Sequence, residues 1–327
     1  MARPFEHPHY DELPVLALKS GQIRLNVIAS PINPADINML EGMYVTQPEP
    51  PFVLGNEGVG EVVECGPDVP ESWLGQRVIV PYQHQEMWDG WWQEQRVVSI
   101  HHCIQVPESI SAEQAAMLSI NPITAYELLA RFTALNPGDW IIQNAANSGL
   151  GHAVIQLAKS RGIRTINLCR RPNLTDALKS AGADAVWVDQ KDIFKEIRDQ
   201  YPDAPIKLGL NGVGGQSAKE VAKTLSPQGT MVTYGAMGRE PVTLSNRLLI
   251  YDDKRFVGFN RTRWVKSVTG NVIRDRFKAL KPIFEKNEIK APIEKVYPLD
   301  AYKEAIVHAG QSKRSGKILL DLQSPLK

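Results

Sequence analysis

The sequence has few cysteines and no long apolar run. Three cysteines, Cys65, Cys103 and Cys169, occur among 327 residues, and no two of them form a Cys-x-x-Cys pair. This spacing supports neither a disulfide framework nor a zinc ribbon, and it is typical of a reducing compartment. No window approaches the roughly 18 uninterrupted apolar residues of a transmembrane helix, so no membrane span is predicted.

The first 20 residues lack the features of a targeting segment. They contain Pro4, Glu6, Pro8, Asp11 and Glu12. Such residues are incompatible with the apolar run of a signal peptide and with the acid-poor amphipathic helix of a transit peptide. The sequence therefore predicts a cytoplasmic protein.

The chain also lacks a large net charge. It has 37 Lys and Arg against 36 Asp and Glu, for a formal charge of +1. This balance argues against whole-molecule attraction to nucleic acid or an anionic membrane. The charge is unevenly distributed, because residues 1–100 hold 5 basic and 14 acidic side chains, whereas residues 247–290 hold 12 basic and 5 acidic ones.

What is present is the composition of an ordinary globular protein, with 43% hydrophobic residues in a chain long enough for two domains. Up to residue 119, short β-branched runs at 22–30, 59–65 and 77–81 alternate with glycine and proline, which predicts a β-rich domain. From residue 140 onward strands alternate with helices, which predicts a doubly wound parallel sheet. The predicted fold class is therefore α/β, with a domain boundary near residue 120.

The most informative segment is the turn after the predicted strand at 140–145. It has the sequence Asn144-Ala-Ala-Asn-Ser-Gly-Leu-Gly151. Small residues there let main-chain N–H groups and a helix N-terminus approach a pyrophosphate. Ala146 and Ser148 replace two glycines of the usual G-x-G-x-x-G spacing, so the interpretation depends on the position of the turn at the start of the βα array. We interpret it as a dinucleotide-binding turn; the alternative is a tight turn without a ligand.

Two arginines end the next predicted strand. Arg170 and Arg171 lie about 20 residues beyond the turn, where an enzyme that uses NAD would have an acidic residue for the ribose 2′-hydroxyl. Guanidinium groups instead suit a 2′-phosphate, because their planar donors match its oxygens and supply charge. The sequence thus favours NADPH over NADH, and the alternative is a pair of solvated loop residues.

Further motifs resemble one protein family over essentially the full length. The segments Asn33-Pro-Ala-Asp-Ile-Asn38, Asn121-Pro-Ile-Thr-Ala-Tyr126 and Gly229-Thr-Met-Val-Thr-Tyr-Gly235, together with the turn at 144–151, resemble the 2-enoyl thioester reductases of the medium-chain dehydrogenase/reductase superfamily, best known as mitochondrial enoyl-CoA/ACP reductases. The resemblance implies a GroES-like catalytic domain at 1–120 and 265–327 and a Rossmann NADPH-binding domain at 121–264. It also implies a homodimer.

The resemblance assigns roles to individual residues. Tyr44 matches the family's catalytic tyrosine. Reduction of a trans-2-enoyl thioester of CoA or acyl carrier protein adds a hydride to C3 and a proton to C2, and a phenol keeps its proton at neutral pH and can donate it. The alternative for Tyr44 is a loop aromatic that covers a hydrophobic cleft. The implied cofactor-binding residues are Asn121, Asn147, Ser148, Gly149, Leu150, Gly151, Arg170, Arg171, Tyr234, Gly235, Ala236, Met237, Phe259, Asn260, Arg261 and Lys317.

The implied acyl pocket contains Trp92 and Trp264. Trp92 lies in Gly90-Trp-Trp92 and matches a family tryptophan; the alternative is a core residue, because aromatic clusters are more often core than ligand site. Trp264 matches a later tryptophan. The chain departs from the family at 259–261, where Phe-Asn-Arg replaces Phe-Trp-Leu, and this leaves the shape of the pocket open.

The sequence also lacks the residues that would bind a zinc ion. Zinc alcohol dehydrogenases of this superfamily would have a Cys ligand at Asn33 and a His ligand at Asn56, and four structural cysteines near residues 80–100. None of these is present, and the seven histidines do not supply a ligand set. Reduction of an activated C=C bond needs no Lewis acid of this kind, so the sequence predicts a metal-free enzyme.

The partners follow from the same reasoning. The basic stretch at 247–290 is a candidate surface for the phosphates of CoA or for an acidic carrier protein, and the alternative is a solvated charged face. No recognition-helix pattern accompanies it, so neither nucleic acid nor membrane is an expected partner. Two other functions stay open: an NADPH:quinone or α,β-unsaturated ketone reductase of the same zinc-free superfamily, and a non-catalytic nucleotide-binding or structural protein.

Overall fold

The chain forms two compact units. A computed structural model describes residues 8–12, 14–44, 49, 51–81 and 90–324. The first unit consists of Met1–Ile120, Thr269–Asn287 and Ala291–Lys327, and the second of Asn121–Val268 with Glu288–Lys290. The first unit is therefore assembled from both ends of the chain, whereas the second is almost continuous.

The first unit opens with short strands and two short helices. They are β1 Gln22–Pro31, α1 Pro34–Leu40, β2 Val59–Cys65, β3 Arg77–Ile79, β4 Gln95–Ser99, β5 Ile104–Gln105 and α2 Ala112–Ala115. Ile23, Leu25 and Val27 alternate along β1 and are fully buried. This period of two is what places one face of the strand in the core.

The second unit alternates strands with helices. Its elements are α3 Asn121–Arg131, β6 Trp140–Gln143, α4 Gly149–Ser160, β7 Arg164–Cys169, α5 Thr175–Ser180, β8 Ala185–Val188, α6 Ile193–Gln200, β9 Ile206–Asn211, α7 Gly215–Thr224, β10 Thr230–Thr233, α8 Asn246–Ile250, β11 Arg255–Gly258 and α9 Arg261–Ser267. The chain then completes the first unit with α10 Gly270–Glu285, β12 Ile293–Pro298, α11 Tyr302–Gly310 and β13 Lys317–Asp321.

Each unit contains one sheet. In the first unit the strand order is β12-β13-β1-β2-β3-β5, with β4 paired to β1. In the second unit the order is β11-β10-β9-β6-β7-β8, and the strands are parallel. The chain reverses direction across the sheet between β6 and β9, which is where ligands of doubly wound sheets bind. The predicted fold class, a β-rich unit with a doubly wound parallel unit, is confirmed.

Seven short elements lie in segments where the sequence pattern predicts no regular structure. They are helices α1, α2, α8 and α9 and strands β4, β5 and β12. The four helices have only four to seven residues each, which is too short for a clear period of 3.6. Strand β12 ends on Pro298 and lies at the edge of its sheet, where proline is tolerated. Within the described part of the chain, no helix has both the length and the apolar run needed to cross a bilayer.

Candidate active site

The turn between β6 and α4 is built for a close approach to a ligand. Ser148 caps α4, because its hydroxyl accepts a hydrogen bond from the N–H of Gly151 at 3.0 Å. A Cβ atom on Gly151 would lie 2.3 Å from the carbonyl oxygen of Ala146, so this position requires glycine. Asn147, Gly149 and Leu150 complete the turn and the first turn of α4, whose main-chain N–H groups attract anions.

Buried asparagines join three strands where they end. Asn144 follows β6, and its amide donates to the Asn211 side chain at 2.9 Å and to the Ser217 hydroxyl at 2.8 Å. The Asn144 oxygen accepts from the N–H of Gly212 at 2.8 Å, and the Asn211 amide donates to Thr233 at 3.1 Å. Asn144 and Asn211 are fully buried. This network fixes the turn relative to β9 and β10, and no sequence motif predicts it.

Arg170 and Arg171 follow the end of β7, as the sequence predicts. Arg170 is exposed and Arg171 is half-buried. Asp189, at the end of the neighbouring strand β8, accepts a hydrogen bond from the Ser217 hydroxyl at 2.5 Å. Burial raises the pKa of Asp189, the charge of Glu220 raises it further, and the Ser217 hydrogen bond and the charge of Arg170 lower it. Arg170 thus lies close enough to this carboxylate for its charge to lower the Asp189 pKa.

The remaining predicted cofactor residues of the second unit lie near the carboxyl ends of β10 and β11 or at the start of α3. Tyr234, Gly235, Ala236 and Met237 directly follow β10. Burial raises the pKa of Tyr234 strongly, and its hydroxyl has no hydrogen-bond partner among the described residues. Asn121 is the first residue of α3.

After β11 the chain enters α9. Asn260 caps this helix by accepting a hydrogen bond from the N–H of Arg263 at 2.8 Å, so its side chain is already engaged. Arg261 is the first residue of α9. Phe259 is buried, and its ring lies 6.0 Å from that of Phe132 in an edge arrangement and 6.5 Å from that of Trp264. Trp264 is therefore part of an aromatic cluster within the second unit.

Tyr44 lies in the first unit, just beyond α1. Gly42 has a left-handed backbone with a φ of 67°, which ends the helix. The N–H groups of Met43 and Tyr44 then donate to the carbonyl oxygen of Asn38 at 2.8 and 3.1 Å. The main chain of Tyr44 is thus attached to the last turn of α1, and its side chain is half-buried.

A buried polar cluster lies at the other end of α1. It comprises Asn33, Asp36, Asn56, Glu57 and Lys317, each less than a tenth exposed apart from Asn56, which is partly buried. Asp36 accepts hydrogen bonds from the N–H of Asn33 at 2.7 Å, from the N–H of Asn56 at 3.1 Å and from the Asn56 amide at 2.6 Å. The ammonium of Lys317 donates to the Asn33 side-chain oxygen, and the Asn33 amide donates to Glu57 at 3.1 Å.

Burial dominates the electrostatics of this cluster. It raises the pKa of Asp36 to about 6, against the lowering effects of the Asn33 and Asn56 hydrogen bonds and of the Lys317 charge. Burial also lowers the pKa of Lys317, while the carboxylates of Glu57 and Asp36 raise it. Lys317, predicted as a cofactor residue, is thus held in the first unit by Asn33.

The cluster does not fit a zinc ion. Asn33 and Asn56 stand where zinc-dependent members would carry ligands, and here both amides are engaged in hydrogen bonds with Glu57 and Asp36. The Lys317 ammonium supplies a positive charge at the same place. Among the described residues, no group of three or more His, Cys, Asp or Glu side chains is arranged to hold a metal. The chemistry of these donors suits a buried ammonium rather than a metal.

Trp92 also belongs to the first unit. It is partly buried against the core of that unit, and its main-chain N–H donates to the carbonyl oxygen of Leu54 at 2.9 Å. A Cβ atom on Gly55 would lie 2.5 Å from its ring, which explains the glycine there. The two predicted pocket tryptophans, Trp92 and Trp264, therefore lie in different units.

Comparisons with known proteins agree with this architecture. Residues 19–108 match the alcohol dehydrogenase GroES-like domain, and residues 149–279 match the zinc-binding dehydrogenase family. The mitochondrial enoyl-(acyl-carrier-protein) reductase of Homo sapiens is 39% identical over 319 residues, which cover 95% of this chain and 83% of the relative.

Solved structures are similar over almost the whole chain. The Etr1p/NADP/crotonyl-CoA complex has a TM-score of 0.83 at 27% identity, covering 95% of this chain and 93% of that chain. A structure assigned as an NADPH:quinone reductase from Bacillus thuringiensis has a TM-score of 0.87 at 25% identity, covering 98% and 96%.

The relatives correct one prediction and identify the family. The expectation of a cytoplasmic protein is wrong, because the human, rat and Dictyostelium discoideum relatives are all named as mitochondrial enzymes. Part of that expectation depended on residues 1–7, which lie outside the described residues. Since a relative of 39% identity spans most of both chains, the chain belongs to the enoyl-(acyl-carrier-protein) reductases of the medium-chain dehydrogenase/reductase superfamily.

Proposed function

We propose that the protein uses NADPH to reduce the C2=C3 double bond of trans-2-enoyl thioesters. The observation that carries the proposal is the position of Tyr44, whose main chain is hydrogen-bonded to the last turn of α1 in a unit that matches the GroES-like domain. The similarity to a structure that contains NADP and crotonyl-CoA supports both the cofactor and the substrate class. In this proposal the first unit is the catalytic domain and the second binds the cofactor.

The second unit would hold the dinucleotide at the carboxyl edge of its sheet. Its pyrophosphate would lie on the N-terminus of α4, where Ser148 and Gly151 shape the turn. Arg170 and Arg171 would bind the 2′-phosphate with charge-assisted hydrogen bonds. The segments 234–237 and 259–261 would contact the nicotinamide half, because they follow neighbouring strands of the same sheet.

The chain's own residues would then complete the reduction. Bound NADPH supplies the hydride, which adds to C3 of the enoyl thioester and leaves NADP. Negative charge moves onto the thioester oxygen, and the Tyr44 hydroxyl donates its proton to C2, so that the double bond gains one hydride and one proton. Trp92 and Trp264 are the aromatic side chains proposed to contact the acyl chain.

The thioester carrier is CoA or acyl carrier protein. Both present phosphate, and the basic residues between 247 and 290 are the proposed counterpart. We also propose a homodimer, supported by β11, which is an edge strand of the parallel sheet and exposes more than a third of Val257.

Steady-state oxidation of NADPH with crotonyl-CoA tests the proposal. The wild-type protein is expected to turn over, and Tyr44→Phe is expected to lower kcat by roughly a hundredfold, a usual size for loss of an acid catalyst. Tyr10→Phe is the matched control, since Tyr10 is a partly exposed tyrosine of the same unit and has no proposed role. Equal rates for the wild type and Tyr44→Phe would remove Tyr44 from the mechanism.

One other activity has its own support. The similarity to the Bacillus thuringiensis structure and the Asn33-Pro-Ala-Asp36 segment, which quinone reductases share, favour reduction of quinones or simple enones. The same assay with a quinone separates the two, because turnover of quinones together with inert enoyl thioesters would favour this second function.

A further inference from the structure

Helix α1 connects the buried polar cluster to Tyr44. The helix begins after Asn33 and spans seven residues, or about 10 Å. Its last turn holds the main chain of Tyr44 through the carbonyl oxygen of Asn38. A rotation or shift at the start of such a short helix is transmitted to its end, since one rigid element joins the two. The position of Tyr44 therefore depends on what fixes Asn33.

Asp36 is the residue that fixes the start of the helix. It is fully buried, and three hydrogen bonds converge on its two oxygens, one from Asn33 and two from Asn56. Asn56 precedes β2, so the carboxylate ties α1 to the sheet of the first unit.

The other cluster members hold Asn33 from the opposite side. Lys317, the first residue of β13, donates to the Asn33 side-chain oxygen. Glu57 accepts from the Asn33 amide at 3.1 Å with one oxygen and from the N–H of Ile120 at 3.0 Å with the other. The start of α1 is thus connected to β13 and to the segment that leads out of the first unit.

This arrangement is more than a helix needs. An exposed Ser, Thr or Asp is sufficient to cap a helix, whereas a buried carboxylate is costly unless it is fully paired. A stabilising role alone does not explain why a seven-residue helix begins on a buried carboxylate with an ammonium beside it. Precise orientation of the helix does explain it, because each hydrogen bond has a fixed direction.

We propose that Asp36 is a positioning residue for Tyr44, acting through the start of α1 on the side chain that donates the proton. The inference rests on the proposed function, since it needs Tyr44 to take part in the reaction. Asp36 itself touches neither substrate nor cofactor in this proposal. Its removal displaces the phenol and leaves the dinucleotide site in the second unit intact.

The test is a double-mutant cycle of Asp36→Asn with Tyr44→Phe, using crotonyl-CoA and NADPH. Asp36→Asn retains the size of the side chain and replaces one acceptor oxygen with a donor. We expect kcat to fall by at least tenfold, because small displacements of a reacting group have effects of this order. The dissociation constant of NADPH, from a fluorescence titration, should change less than twofold. In a Tyr44→Phe background the same substitution should have little further effect on kcat.

Asp139→Asn is the matched control. Asp139 accepts a hydrogen bond from the N–H of Asn136, three residues earlier, at 2.7 Å, just as Asp36 does from Asn33. It is also nearly buried and lies beside an ammonium, that of Lys207, at 2.9 Å. It belongs to the second unit. We expect Asp139→Asn to lower the melting temperature, leave kcat unchanged, and combine with Tyr44→Phe additively.

The outcomes separate the inference from the proposed function. If Asp36→Asn lowers the melting temperature but leaves kcat unchanged, or lowers kcat equally in the Tyr44→Phe background, Asp36 is a structural residue only. Should Asp36→Asn fail to fold, Asn56→Ala removes one of the three hydrogen bonds and is expected to lower kcat in the same coupled way; additive behaviour of Asn56→Ala overturns the inference. A wild-type protein that is inert with enoyl thioesters contradicts the proposed function instead.

Discussion

The hydroxyl of Ser148 accepts a hydrogen bond from the N–H of Gly151, so one side chain both starts α4 and shapes the turn before it. Removing this hydroxyl in Ser148→Ala should lower the free energy of unfolding by about 1 kcal/mol, the usual value of an N-cap. It should also weaken NADPH binding several-fold, because the turn relaxes. Denaturant unfolding and a fluorescence titration measure the two effects.

Ser245→Ala is the control for this substitution. Ser245 caps α8 in the same unit by accepting from the N–H of Arg247 at 3.3 Å, and it has no proposed contact with the cofactor. Ser245→Ala should lower the free energy of unfolding without weakening the binding of NADPH. Equal loss of affinity in both variants would mean that the effect of Ser148 is general destabilisation.

A methyl group at Gly151 should be poorly tolerated. The added Cβ atom would meet the Ala146 carbonyl oxygen at 2.3 Å, well inside van der Waals contact. We expect Gly151→Ala to lower the free energy of unfolding by roughly 1–3 kcal/mol, as overpacking does, and to displace the turn. Gly310→Ala is the comparison, because no atom lies within 4 Å of a Cβ atom there. Its melting temperature should stay the same or rise.

The arginine pair should determine the choice of dinucleotide. The double variant Arg170→Ala, Arg171→Ala lacks both guanidinium groups at the end of β7. Its kcat/KM for NADPH should fall roughly 10–100-fold, because hydrogen bonds to a charged phosphate are lost. The value for NADH should change little, since NADH has no 2′-phosphate. Arg255 is an exposed arginine at the start of β11, and Arg255→Ala should leave the ratio of the two kcat/KM values unchanged. An unchanged ratio in the double variant would indicate that Arg170 and Arg171 are solvated and do not bind the 2′-phosphate.

The stability of the first unit should depend on pH through Asp36. Its pKa of about 6 in the folded chain exceeds the ordinary value of 3.8, because burial disfavours the carboxylate. The folded state therefore binds the proton more tightly, and the contribution of this group to stability rises as the pH falls from 6 to 4, by about 2 kcal/mol. The charge of Lys317 acts on Asp36, and the charges of Glu57 and Arg314 act on Lys317.

Comparison of variants isolates that contribution. The difference in free energy of unfolding between wild type and Asp36→Asn should grow in favour of the wild type on acidification from pH 6 to pH 4. Asp139 should behave oppositely. Burial raises its pKa, but hydrogen bonds from Asn136 and Lys207 lower it overall, so its contribution is lost as the pH falls. Urea titrations at several pH values measure both, and a pH-independent difference for Asp36→Asn would contradict the prediction.

Local patterns predicted much of the fold. The strand at 59–65 has the predicted bounds, because it is rich in valine and is flanked by Gly58 and Gly66. Helix α1 is not predicted, because its seven residues, which begin on Pro34, are too few to show a helical period. The turn at 144–151 was found because its small residues are consecutive in the chain.

The buried cluster could not be predicted in the same way. Lys317 and Asn33 are 284 residues apart, and no local pattern links them. The sequence does contain one relevant signal. The Asn-Pro-Ala-Asp segment has an aspartate, although asparagines occupy positions 33 and 56, where zinc-dependent members would have metal ligands. In the structure Asn56 donates hydrogen bonds to this aspartate, and the charge of Lys317 acts on it.

The pairing of β1 with β13 has a consequence for synthesis of the protein. Ala29 and Pro31 are made nearly 300 residues before their sheet partners, Asp321 and Leu319. All strands of the parallel sheet are present in the nascent chain once β11 is made, so the second unit can fold first. Until β13 is made, the edge of β1 that pairs with it has no partner strand. Truncation after α11 should therefore leave the second unit folded and the first exposed to aggregation at that edge.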